Sequence, residues 1–174
     1  VFGQSYFPET AFREVIEMRG FKGINGVIAR SEFQMHHLLP VSVFGHGHFA
    51  KSFQILHMEG FDPRYYSVNG LALPATENAA SLWKMPMHRG PHRRYNELVA
   101  ARVANILADM ERRSYSLPAR SEAIGRLNLL ICSLRRILTG DRPFILLSSR
   151  DPLNSSARFW DIENACDRLW QATK

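Results

Sequence analysis

Cysteine is scarce: Cys132 and Cys166 are the 2 in 174 residues, and neither has the C-x-x-C spacing of a zinc site. A disulfide-built scaffold is therefore excluded. Both cysteines sit in apolar, helix-like contexts, which predicts buried free thiols, with one disulfide arithmetically open. No apolar run reaches the roughly 18 residues of a membrane-spanning helix, so no membrane anchor is predicted. No signal-peptide pattern is present. The chain opens at Val1 in an aromatic stretch, as expected of a segment excised from a longer polypeptide. There is no internal repeat and no low-complexity stretch. The H-E-x-x-H motif of zinc peptidases is absent too. His88 and His92 have its spacing, but Arg89 stands where the glutamate base is needed.

What the chain does have is enough apolar material for a core, at 45% of residues. It also has a positive balance, 22 Lys and Arg against 16 Asp and Glu, for a net charge of +6. A basic surface is drawn to polyphosphate by long-range attraction, which raises the prior for a nucleic-acid partner without establishing it.

Hydrophobic periodicity predicts a short helix over 9–19, capped by Thr10 and stopped by Gly20. A strand is predicted over 34–44, breaking at Pro40. A helix is predicted over 49–59, with Phe49, Phe53, Leu56 and His57 on one side. Asn69-Gly70 between apolar runs predicts a tight hairpin, because both residues tolerate positive φ. Residues 74–87 read as loop. A long helix is predicted from about 88 to 112, with Tyr95, Val99, Val103, Ile106, Leu107 and Met110 as its stripe. A second is predicted over 121–139, ended by Gly140, and a third after Asn154 carrying Trp160 and Trp170 as core residues. The resulting organisation is an N-terminal extension (1–29), a histidine-bearing core (30–112) and a helical C-terminal extension of the same domain (113–174). For the last, scaffolding, partner binding and connection to another module all stay open.

All 7 histidines fall between positions 36 and 92. His88-x-x-x-His92 at a helix start puts two imidazoles on one face, a spacing suited to one metal ion. His36 and His37 are adjacent on a predicted strand and so point to opposite faces. One can complete a metal site while the other faces substrate as a base. A neutral imidazole, with an ordinary pKa of about 6.5, can take a proton from water at neutral pH. A divalent ion can stabilise charge on a scissile phosphate. Lys84, Arg89, Arg93 and Arg94 lie beside the proposed ligands and can hold flanking phosphates.

Three segments, HHLLP, NGLALP and HRGPHRRY, in that order, resemble the AHH branch of the HNH nucleases over roughly residues 30–112. The resemblance implies an α+β fold with a ββα-metal (His-Me finger) core and additional helices. It implies His36, His88 and His92 as metal ligands and His37 as general base. Asn69 would hydrogen-bond the base-bearing loop and fix the imidazole. One departure is Met35, where that branch has alanine, a position expected to serve packing. The activity implied is hydrolysis of phosphodiester bonds, in DNA rather than RNA. Mg²⁺ or a similar divalent ion is expected in catalysis, and three imidazoles would also accept Zn²⁺ or Ni²⁺. The branch further implies a toxin domain secreted or delivered by a bacterium, acting in the target-cell cytoplasm, with a cognate immunity protein.

Each motif alone has a plainer reading. The histidine pair can be ordinary strand residues, Asn69-Gly70 an ordinary turn, and the arginines a solvated face. His46 and His48 read as exposed loop residues, and His57 as packed at the core edge. A competing function is a zinc-stabilised nucleic-acid- or protein-binding module without catalysis. Structural zinc usually takes four protein ligands, often cysteines, and neither cysteine is near the cluster.

Overall fold

The structure, a computed structural model, describes residues 32–44, 47–89 and 92–140. The predicted helices at 9–19 and after Asn154, together with Trp160, Trp170, Cys166 and His46, lie outside them. The described elements are β1 (Phe33–His37), α1 (Val41–Phe44), α2 (Ala50–Met58), α3 (Tyr66–Asn69), β2 (Gly70–Pro74), α4 (Glu77–Trp83), α5 (Arg93–Arg112) and α6 (Leu117–Thr139). The architecture is α+β, a two-stranded antiparallel sheet among helices. The strands pair from Phe33 with Pro74 to His37 with Gly70, so His36 faces Leu71 across the ladder.

Among the described residues one apolar core joins the strands to the two long helices. Every residue of β2 is buried. On α5 the inward residues are Tyr95, Val99, Val103, Ile106, Leu107 and Met110, the helical stripe legible in the sequence. On α6 they include Leu127, Leu130, Ile131, Leu134 and Leu138, which pack against α5. An ion-pair network ties the two helices: Glu122 of α6 pairs with Arg113, just past α5, while Arg126 reaches Asp109 at 3.7 Å. Arg135 of α6 donates to the carbonyls of Gly70 (2.9 Å) and Val68 (3.0 Å), fixing the start of β2. Residues 117–139 therefore scaffold the sheet.

Several expectations are corrected. The strand ends at His37, and Val41–Phe44 beyond Pro40 is a helical turn. Asn69-Gly70 makes no tight hairpin. Asn69 closes α3, and Gly70 opens β2 in extended conformation (φ −97°, ψ 148°). Glycine is needed there for close approach: an added Cβ would lie 2.6 Å from the Tyr66 carbonyl oxygen and 2.8 Å from Met35 Cε. The strands are instead joined through α1, α2 and α3. Residues 77–83, read as loop, form α4, whose N-cap Thr76 accepts from the Ala79 N–H. The long helix begins at Arg93, with His92 as its N-cap, so His88 lies before it. α6 begins at Leu117, with Pro118 in its first turn, where a missing N–H costs nothing. Cys132 is exposed, not buried. His57 is exposed as well, its Nδ1 3.5 Å from an Asp62 carboxylate oxygen.

Candidate metal centre and active site

Strand alternation turns His36 inward, where it is 1% exposed, and leaves His37 half-buried on the other side. His88 is placed by its backbone: its N–H donates to the Pro74 carbonyl at 2.7 Å, continuing from the end of β2. His92 is placed by the start of α5. Three elements of separate origin thus converge. His36, His88 and His92 each offer a ligand nitrogen, all within 4.8 Å of one another. The His36 ring centroid lies 5.0 Å from both the His88 and the His92 ring.

The donor set fits a metal ion on two observations. The Nε2 atoms of His88 and His92 are 3.3 Å apart. Two nitrogens each roughly 2.0–2.1 Å from one ion at the tetrahedral angle would be separated by about 3.4 Å. His36 Nε2 is buried with no hydrogen-bond partner. A buried orphan of this kind calls for an explanation, and an ion supplies one. Electrostatics agree. Burial holds the His36 pKa well below the ordinary imidazole value, and the neighbouring His88, His92 and His37 charges lower it further. Burial, then the His92 charge, lowers His88 to about 4. Both are therefore neutral at pH 7, the protonation state that a ligand needs.

The other predicted residues are placed less uniformly. His37 packs against Tyr66, ring centroids 4.5 Å apart and planes tilted by 36°, with Phe44 at 6.0 Å, and burial lowers its pKa. Asn69 is fully buried. Its Oδ1 accepts from the Leu39 N–H (2.6 Å) and its Nδ2 donates to the Leu39 and Pro63 carbonyls (2.9 Å each). It holds the chain two residues beyond His37 and does not bond the imidazole. Lys84 is exposed at the left-handed C-cap of α4. Arg89 and Arg94 are exposed next to His88 and His92. Arg93 is exposed too, but engaged with Glu97 at 2.7 Å.

Four supporting residues were not foreseen. Gln34 Oε1 lies 3.1 Å from His88 Nδ1, and Asn96 Oδ1 lies 2.9 Å from His92 Nδ1. The buried Tyr95 donates its hydroxyl to the Leu38 carbonyl at 2.7 Å and packs its ring 5.1 Å from that of His36. Tyr66 covers His37. Two of these were recoverable: Gln34 shares a strand face with His36 at a spacing of two, and Asn96 follows His92 by one helical turn.

No curated protein and no solved structure matches the chain significantly. One family model matches it over residues 18–137: AHH, a nuclease family of the HNH/ENDO VII superfamily with a conserved AHH motif. That span takes in both strands, the histidine cluster and nearly all of α6. The family's conserved motif is Ala-His-His, and this chain carries Met35-His36-His37, with the end of the Met35 side chain close against Gly70. The chain belongs to the AHH nucleases of the HNH/ENDO VII superfamily and is, accordingly, a hydrolytic endonuclease.

Proposed function

We propose that the chain hydrolyses phosphodiester bonds of DNA, in preference to RNA, with a divalent ion held by His36, His88 and His92 and with His37 as general base. The observation that carries this reading is the convergence of three imidazoles, one of them buried with an unpartnered nitrogen, beside a fourth on the opposite face of the same strand. When bound, a divalent cation would supply Lewis-acid stabilisation of charge on the scissile phosphate and the leaving oxygen. His37, neutral at pH 7 and half-exposed, takes a proton from water at a ring nitrogen. The water oxygen forms the new bond to phosphorus as the bond to the 3′ oxygen breaks. Tyr66 and Phe44 limit the orientations open to the imidazole, and Asn69 holds the backbone that follows it. Lys84, Arg89, Arg93 and Arg94 would contact flanking phosphates, Arg93 after leaving Glu97.

Three imidazole ligands would leave an ion held there open to water or substrate. That favours catalysis over the zinc-stabilised binding module, whose structural ions are usually enclosed by four. Mg²⁺ is the ion we assign to catalysis, with Zn²⁺ or Ni²⁺ able to fill an all-imidazole site. We extend this reading to a toxin domain delivered from a bacterium into the cytoplasm of a target cell, with an immunity protein as partner, the context that the resemblance to the AHH branch implies. Cleavage of supercoiled plasmid and of structured RNA, with Mg²⁺ and with EDTA, tests the reaction. Plasmid degradation abolished by EDTA is expected. Failure to cleave either nucleic acid in any divalent ion would overturn it.

A further inference from the structure

His88 and His92 each have an amide oxygen at their far nitrogen. Asn96 Oδ1 lies 2.9 Å from His92 Nδ1, and Gln34 Oε1 lies 3.1 Å from His88 Nδ1. A carbonyl-type oxygen only accepts, so with the amide oxygens turned to the rings each contact is a hydrogen bond when Nδ1 carries the proton. In a neutral imidazole the other nitrogen is then a bare lone pair. The two Nε2 atoms stand 3.3 Å apart. With lone pairs on both, neither can donate to the other, and the pair is repulsive until a cation lies between them.

We infer that Gln34 and Asn96 are positioning residues that lock His88 and His92 in the Nδ1–H tautomer and so direct both ε-nitrogens at one ion. The inference rests on the metal-centre reading above and extends it to residues outside the ligand set. Outer partners of this kind orient the ring and raise ligand basicity. Here both are neutral amides, so they leave the positive charge of the centre undiminished for a phosphate. Asn96 is half-buried and its contact is shorter, whereas Gln34 is exposed to competing water. Asn96 is therefore the stronger device.

The test is Ni²⁺ and Zn²⁺ titration of the full chain by calorimetry. Asn96→Ala should weaken binding by about 10- to 100-fold and Gln34→Ala by less, with the metal-free melting temperature unchanged. Asn96→Asp, which keeps an acceptor in place, should restore or tighten binding. Long-range ¹⁵N–¹H correlation on the metal-free protein should show His92 as the Nδ1–H tautomer, a signature lost in Asn96→Ala. If wild-type protein and both alanine variants bind the ions equally tightly, the outer-shell inference falls and the metal centre stands. If wild-type protein takes up neither ion, both fall.

Discussion

Asn69 is the residue whose replacement has the most calculable consequence. Its side chain makes three hydrogen bonds while fully buried, accepting from Leu39 N–H and donating to the Leu39 and Pro63 carbonyls. At about 1 kcal/mol net for each bond, Asn69→Ala should cost about 3 kcal/mol, and more where the backbone groups stay dry and unpaired. For a chain of this size that is a fall in Tm of roughly 6–12 °C. Asn69→Asp is the sharper probe. One carboxylate oxygen can still accept from Leu39 N–H, but the other would face two carbonyl oxygens. The buried acid is thereby held protonated, its pKa raised in the folded state. A raised folded pKa means stability that is present below the unfolded pKa and lost as pH rises through the folded one. The Asp variant should therefore melt closest to wild type in acid and diverge from it toward neutral pH, whereas the Ala deficit should change little with pH. Circular dichroism melts in EDTA from pH 4.5 to 8 measure both. An Ala variant melting within two degrees of wild type, or an Asp variant whose deficit is constant, would refute this account of how β2 is tied to the chain beyond His37.

Other outcomes follow from the same geometry. The folded pKa values of His88 and His36 are depressed, His88 to about 4, so the unfolded chain binds more protons below the ordinary value of 6.5. Metal-free protein should thus lose stability as pH falls from 6.5 toward 4, while uptake of Zn²⁺, read by calorimetry, should persist below pH 6.5. Tyr66→Ala should lower kcat about five-fold or more, the kinetic equivalent of an aromatic contact of about 1 kcal/mol. Tyr66→Phe should be near wild type, since the contact with His37 is ring to ring. Arg89→Ala and Arg94→Ala should each reduce the slope of log binding constant against log salt by about 1 for DNA bound in Ca²⁺, with little change in Tm. An unchanged slope would place those arginines off the DNA path.

Legibility in the sequence divides by physical cause. On α5 the amphipathic stripe and the buried face coincide, whereas on α6 burial takes Leu127, Leu130, Ile131 and Leu134 from the expected stripe and leaves Ile124 and Ile137 only partly covered. At about 100° per residue Cys132 stands on the side of α6 away from the buried Leu130 and Leu134, so its exposure follows from helical geometry. α4 has only 7 residues, too few for periodicity to stand out between Pro74 and Pro86, although Thr76 marks its start. Asn69-Gly70 has the composition of a tight turn for two unrelated reasons. Asn69 is there for its buried side chain, and Gly70 for the space left by Tyr66 and Met35. The pairing of His88 with His92 was expected from helical spacing, yet His88 is positioned by its bond to Pro74, a tertiary contact that no local pattern encodes. The opposed faces of His36 and His37 follow from strand alternation alone. Their distinct environments, a buried ring against His88, His92 and Tyr95 and a Tyr66-covered one, required the packing of α3 and α5.

The central claim separates the imidazole that takes the proton from those that hold the ion, and His37→Ala tests it most directly. The variant and the wild type are to be compared for bound metal and for plasmid cleavage in the same preparation. The account predicts unchanged metal content and a loss of cleavage of at least about 100-fold, the lower end of what a general base contributes. Retained cleavage, or loss of the metal together with the activity, would contradict it.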